Sequence, residues 1–261
     1  MRPAQNKYTK ILLLRRKLLL DREEGLRSVT TRGWLSETSY EFQRALLSGC
    51  DLRRFEAGAP LQVGGEERGE LIGLAQGILA LRTTLGPTDT AMMHFAHPVS
   101  WLGCVPALFN KPQRIAASAR TLAWVVRISE QTIKRTLSEH PQWWAHFLQL
   151  LLNYGDVNAT MASDLMIRDA ERRCAAALLR LAGCRFASPQ DAGAVEAAVT
   201  QDELAGAANL SRNSVGVMLR RLERRGLIRV EYGRMIVLAP RVLRAFVDRD
   251  DNSAKTHESA C

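Results

Sequence analysis

Two polar strings near the C-terminus hold the residues best suited to chemistry. Thr200-Gln201-Asp202-Glu203 has the spacing of a capping box, in which a threonine hydroxyl and a glutamate carboxylate satisfy free backbone N–H groups reciprocally. Ser211-Arg212-Asn213-Ser214 opens a second helix, with Ser211 as its cap. Between them, Ala205 is small enough for two helices to cross closely, and Asn209 suits a left-handed tight turn. Val215, Met218, Leu219 and Leu222 recur at helical spacing and face inward. Arg212, Asn213, Val217, Arg220, Arg221 and Arg224 are left facing outward. Gly226 stops the helix, residues 227–230 and 235–238 form a two-stranded wing around Tyr232-Gly233-Arg234, and Pro240 opens a last short helix.

The chemistry on offer is hydrogen bonding to double-stranded DNA. A recognition helix enters the major groove with its N-terminal residues nearest the base edges. Arg212 is therefore the leading base reader, most naturally bidentate to a guanine. Asn213 either pairs with adenine or serves a phosphate, and Val217 offers only an apolar contact to a thymine methyl. Gln201, Ser211, Ser214, Arg220 and the wing's Arg234 are expected to hold phosphates, which position without specifying. From Arg212 to Arg244 nine arginines face only Glu223 and Glu231, the charge footprint of a phosphate binder.

The rest of the chain must position that motif. With 261 residues, 46% hydrophobic and 24% charged, it reads as a globular protein of one large or two ordinary domains. The net charge is +9. Residues 1–35 read as a basic N-terminal extension, either a short amphipathic piece or a poorly ordered arm. Arg15-Arg16-Lys17 interrupts its apolar runs, so neither a secretory signal nor a membrane span is expected, and the protein is placed in the cytoplasm. Cysteines 50, 104, 174, 184 and 261 form no C-x-x-C pair.

Glycine and proline punctuate residues 50–135 every few positions, with strand candidates at 77–81, 92–95 and 122–128. This predicts a β-roll, jelly-roll-like, over residues 36–138. A long helix over 139–165 follows, with Pro141 in its first turn. Trp144, Phe147, Leu151, Tyr154, Met161 and Leu165 line one seam, with Asn158 its polar position, and Trp143, Leu150 and Val157 flank it. So broad an apolar surface predicts either a dimerisation helix, with Asn158 helping to fix register, or a wholly intramolecular core helix. Residues 168–182 form another amphipathic helix, and 183–199 a loop with a short strand near its end. The domains expected are thus 1–35, 36–138, 139–165, a DNA-binding domain over 166–247, and a polar tail over 248–261. The fold class is α+β.

These residues resemble the Crp/Fnr family of bacterial transcription regulators. Leu210-Ser-Arg-Asn-Ser-Val-Gly216, Leu219-Arg-Arg-Leu222 and Gly226-Leu-Ile228 are similar to that family's recognition helix and the start of its wing. Phe55-x-x-Gly58-x-x-Leu61-x-x-Gly64 and Gly77-x-Leu79-x-Leu81 resemble its cyclic-nucleotide-binding β-roll, and Trp101-Leu-Gly103 through Arg114 its phosphate-binding cassette. The resemblance spans residues 50–240 and implies a β-roll sensor, a dimerising helix, a homodimer on an inverted repeat, and RNA polymerase as a partner. It also points to Trp101, Gly103, Cys104, Arg114 and Thr160 as candidate ligand contacts. Cys104 stands where cyclic-AMP binders of the family place glutamate, and Ile115 where they place a small hydroxyl residue. Ala159-Thr160 retains at most one hydroxyl of their purine-contacting pair. A signal other than cyclic AMP is expected, its identity unknown, and residues 1–49 lack the cysteines of the family's iron–sulfur members.

Other chemistry is thinner. His94 and His97 with Cys104 nearby would be needed for a metal or haem, yet two residues three apart on a regular strand face opposite sides. Cys104 as a redox sensor competes with Cys104 as a small residue in a turn. A cupin-type metalloenzyme needs H-x-H with further ligands, and the sequence has H-x-x-H without them. No catalytic residue, metal or cofactor is expected. The alternative to a ligand sensor is a regulator that acts without a small ligand or through a partner.

Overall fold

The computed structural model describes residues 20–62, 69–83, 92–185 and 193–249. Two compact units emerge: one takes residues up to Leu79 together with His97–Leu151, the other Ala80–Ala96 together with Leu152 onward.

The first unit begins earlier than the sequence suggests. Helix α1 (Arg22–Thr30) is capped by Asp21, whose carboxylate accepts the Glu24 N–H at 2.7 Å. Gly25 lets it lie against Leu52, where a Cβ would stand 2.9 Å from a leucine methyl. Ser28 donates to the Ala75 carbonyl at 2.7 Å, and Val29, Trp34 and Leu35 are buried. From residue 20 on, the supposed extension is therefore part of the roll unit. From Asp21 to Leu35 three arginines balance three acids, and Gly25, Val29, Trp34 and Leu35 are buried.

Helix α2 (Tyr40–Leu47), capped by Ser39, follows a 3-10 turn at Trp34–Glu37. The strands are β1 (Asp51–Phe55), β2 (Pro60–Gln62), β3 (Glu70–Gln76), β4 (Leu79–Thr83), β5 (Met92–Ala96) and β6 (Trp101–Leu102), then helix α3 (Cys104–Phe109), β7 (Ile115–Ala119) and β8 (Ala123–Ser129). One sheet runs in the order β1-β8-β3-β6, antiparallel, with Asp51 opposite Arg127 and Phe55 opposite Ala123. Strand β3 shifts register against β8 between Leu74 and Gln76, and β2 pairs with β7 across a similar irregularity. Leu71, Ile72, Leu74, Val125, Val126 and Ile128 fill the core.

Helix α4 (Glu130–Glu139) leaves β8 directly under a Ser129 cap. A 3-10 turn at Pro141–Trp143 leads directly into α5 (Trp144–Met166), so the proline lies in the turn before the long helix and not in its own first turn. Trp34 meets Phe42, Trp101 and Phe147 at ring-centroid distances of 6.0, 5.4 and 5.8 Å, mostly edge-on. The seam and the flanking stripe expected on α5 are each only partly buried. Phe147 and Leu150 are buried, whereas Trp144, Leu148, Leu152 and Leu165 are exposed, as is Asn158.

The second unit holds the rest of α5, then α6 (Ala170–Leu181), β9 (Val195–Ala197), α7 (Gln201–Ala208), α8 (Arg212–Arg224), β10 (Ile228–Glu231), β11 (Arg234–Val237) and α9 (Pro240–Val247). Helix α6 is capped by Asp169 and buried continuously from Cys174 to Leu181. That run includes Arg180, whose guanidinium faces Asp164 at 3.4 Å, both almost wholly buried. Removing Asp164 would leave Arg180 an unpaired buried charge, at a cost of about 3–5 kcal/mol. The wing has three strands in the order β10-β11-β9, because residues upstream of the helix-turn-helix return to pair with it.

Candidate DNA interface

The capping box forms as its residue types dictate. Thr200 accepts the Glu203 N–H at 3.2 Å while the Glu203 carboxylate accepts the Thr200 N–H at 2.9 Å. Helix α7 ends at Ala208, and Asn209 takes the left-handed conformation, φ +50°, that turns the chain. Ser211 caps α8 by accepting the Ser214 N–H at 3.1 Å, and the two hydroxyls meet at 2.9 Å. Val215, Leu219 and Leu222 are buried, which aims Arg212, Asn213, Val217, Arg220 and Arg224 at solvent.

The arginines of this surface divide into two groups. Arg212 is 69% exposed, and its Nε stands 3.4 Å from an equally exposed Asp202, a contact that water largely screens. Arg220 is exposed near Gly216: a Cβ there would lie 3.6 Å from the Arg220 guanidinium and 3.7 Å from Gln201 Oε1, so glycine leaves the gap where the two side chains converge. Arg221 and Arg225 instead brace the helix, 3.6 and 3.1 Å from Glu171 on α6. Arg225 also lies over the Phe246 ring at 4.3 Å. Arg234, expected to hold phosphate, donates to Glu231 and Glu196, which raise its pKa above the ordinary arginine value. Two carboxylates hold its charge within the wing.

The cassette-like segment is engaged with itself. Trp101 is 2% exposed and lies against Gly73, where a Cβ would come within 2.7 Å of its ring. Gly103, at φ +84°, has no room for a Cβ, which would fall 2.0 Å from the Glu70 carbonyl oxygen. Cys104 is 1% exposed, and burial pushes its thiol up to about 12, so it stays protonated at neutral pH and is a poor redox sensor. The side-chain oxygen of Gln113 accepts the Arg114 N–H at 3.1 Å, while its amide nitrogen donates to Gln62 at 2.8 Å. The Arg114 side chain is exposed. Thr160 turns its hydroxyl onto its own helix, donating to the Asp156 carbonyl at 2.9 Å.

Comparison with known proteins fits this geometry. The sequence model of the Crp-like helix-turn-helix domain matches residues 172–246. Residues 172–246 are thus similar to the helix-turn-helix domain of Crp-like proteins. Solved structures share the fold of this chain. A CRP/FNR-family regulator from Thermus thermophilus is 22% identical, with TM-score 0.56, over 76% of this chain and 99% of that one. FixK2 from Bradyrhizobium japonicum is 18% identical, with TM-score 0.62, over 77% and 98%. CLP from Xanthomonas campestris, described as a c-di-GMP responsive global regulator, is 18% identical, with TM-score 0.59, over 77% and 99%. Curated protein sequences give no match.

Among the described residues no three His, Cys, Asp or Glu side chains cluster as metal ligands, and no helix is long and apolar enough to cross a membrane. His94 lies within β5, and His97 follows that strand's last residue. Two surface groups were given no contact role from the sequence. Arg229 is exposed on β10, and Tyr232 projects fully into solvent at the wing tip beside Gly233, at φ +72°. The Tyr-Gly pair, a turn signal with an aromatic in it, was the available cue.

Proposed function

We propose that this chain acts as a homodimer on an inverted-repeat DNA site, reading bases with Arg212 and Asn213 and answering to a signal other than cyclic AMP. The observation that carries the reading is Arg212 at the exposed N-terminus of a helix that Ser211 caps, within a Crp-like helix-turn-helix. Gln201, Ser214 and Arg220 flank it as phosphate contacts, Ser211 serves first as cap, and Val217 presents its methyl groups. The dimer reading is supported by the exposed line Trp144, Leu148 and Leu152 on α5. Beside it Leu108 and Phe109 help to line an apolar depression of about 280 Å³. RNA polymerase is the protein partner, and the cytoplasm the compartment, that such a regulator requires.

A second reading, a regulator that needs no small ligand, has one observation in its favour: Gln113 already occupies the Arg114 N–H. In vitro selection of DNA sites, followed by light scattering on and off the selected duplex, tests the first reading. A two-fold symmetric site bound by a dimer is expected; a stable monomer on DNA contradicts it. Native mass spectrometry of protein from its own host decides between the readings, since a co-purifying molecule excludes the second.

A further inference from the structure

Helix α6 carries Arg173 and Arg180 seven residues apart, hence on one face, and both reach the end of α7. Arg173 Nε donates to the Ala208 carbonyl at 3.0 Å, and Arg180 Nη2 donates to the Ala207 carbonyl at 3.0 Å. The last four carbonyls of a helix have no partner inside it. Here the other two, on Ala205 and Gly206, accept the Leu210 and Asn209 N–H groups at 3.0 and 3.2 Å. Every closing carbonyl of α7 is thus engaged, and the turn into α8 is fixed.

Arg180 does more than cap. Its Nη1 donates to the Met93 carbonyl of β5 at 2.8 Å, and its Nε faces Asp164, near the end of α5, at 3.4 Å. The Nε contact is a charge pair without hydrogen-bond alignment. Asp164 also meets Arg185 at 3.1 Å, and Arg185 meets Asp248, one residue past α9, at 2.9 Å. Burial draws the Arg180 guanidinium below the ordinary arginine value, and Asp164 opposes that drift. A buried cation is a costly way to fill space, and an apolar residue of that length would fill it without the cost. What the planar fork adds is directed bonds to separate segments.

We propose that Arg180 is a positioning residue for DNA recognition, which locks the α7–α8 turn to strand β5 so that a displacement of β5 reaches the recognition helix through one guanidinium. This rests on the DNA-binding reading above. The test uses the full chain as wild type, Arg180→Lys, Arg180→Met and, as control, Arg212→Ala. Two quantities are measured: affinity for a duplex selected by the wild type, and hydrogen exchange of the amides of residues 92–96 and 209–215. Both Arg180 variants are expected to lose about tenfold in affinity and to exchange faster in the two segments together. Arg212→Ala should lose affinity with exchange unchanged. If Arg180→Met fails to fold, Arg180→Lys carries the test, because it keeps a charge opposite Asp164 but cannot span two carbonyls. Wild-type affinity in Arg180→Lys, or faster exchange in only one segment, overturns the proposal. A wild type that selects no duplex refutes the DNA-binding reading instead, and the paired exchange response still judges the link to β5.

Discussion

The helix-turn-helix and the cassette-like turn of the roll both place an arginine beside a sharp turn, yet their polar groups are engaged differently. At the start of α8, Arg212 and Asn213 are exposed and held only weakly by the protein. At the cassette, Cys104 is sealed from water, Gln113 bonds the Arg114 N–H, and the Gly103 position has no space for a side chain. One region has its binding groups prepared for a partner. The other is closed against its own neighbours, with Trp101 Nε1 buried and without a hydrogen-bond partner among the described residues. A surface that recognises DNA keeps its donors open to water until the duplex replaces it, whereas a buried turn has no water to exchange.

That contrast can be broken by substitution. Trp101→Ala should have the largest effect, about 3–5 kcal/mol of stability, because the ring packs on Gly73 and Trp34 in the roll core. Thermal unfolding measures it, and a loss under about 1 kcal/mol would mean that Trp101 is a ligand platform and not a core residue. The buried thiols give a pH test. Cys104 and Cys174 are pushed up to about 12 and Cys184 to about 11, against an ordinary 9.0. Above pH 9 the unfolded thiols ionise while the folded ones stay protonated, so stability is whole below pH 9 and falls as pH rises through 11 to 12. At about pH 10 each thiol should cost about 1.4 kcal/mol, visible in denaturant midpoints and reduced in Cys104→Ala relative to its own value at about pH 8.

Ser211→Ala should cost about 1 kcal/mol through loss of the α8 cap, measured by denaturation in the absence of DNA. An unchanged midpoint would return Ser211 to a pure phosphate role. The smallest effect is expected from Arg234→Ala, under about threefold in DNA affinity, because Glu231 and Glu196 already hold its charge. A loss of about tenfold would show that the wing releases it to phosphate.

What could be read from sequence was local. The capping box, the Asn209 turn, the Ser211 cap and the inward positions of α8 each depend on residues within a few positions, and they appear in the structure, with Val215, Leu219 and Leu222 buried and Met218 half-buried. The missed features join distant segments. Helix α1 docks through Gly25 onto Leu52, β9 returns to complete the wing, and Arg234 finds Glu196 across 38 positions. Arg180 was unreadable for the opposite reason. An arginine in an amphipathic helix looks outward until Asp164, Met93 and Ala207 are known to surround it.

The central claim is that Arg212 reads a base. Selecting duplexes from a randomised pool with wild type and with Arg212→Ala, at one salt concentration, addresses it most directly. The account predicts that the variant loses about 1–3 kcal/mol on the selected site and relaxes one base position in each half of an inverted repeat. An unchanged base preference at that position, with affinity retained, would contradict it.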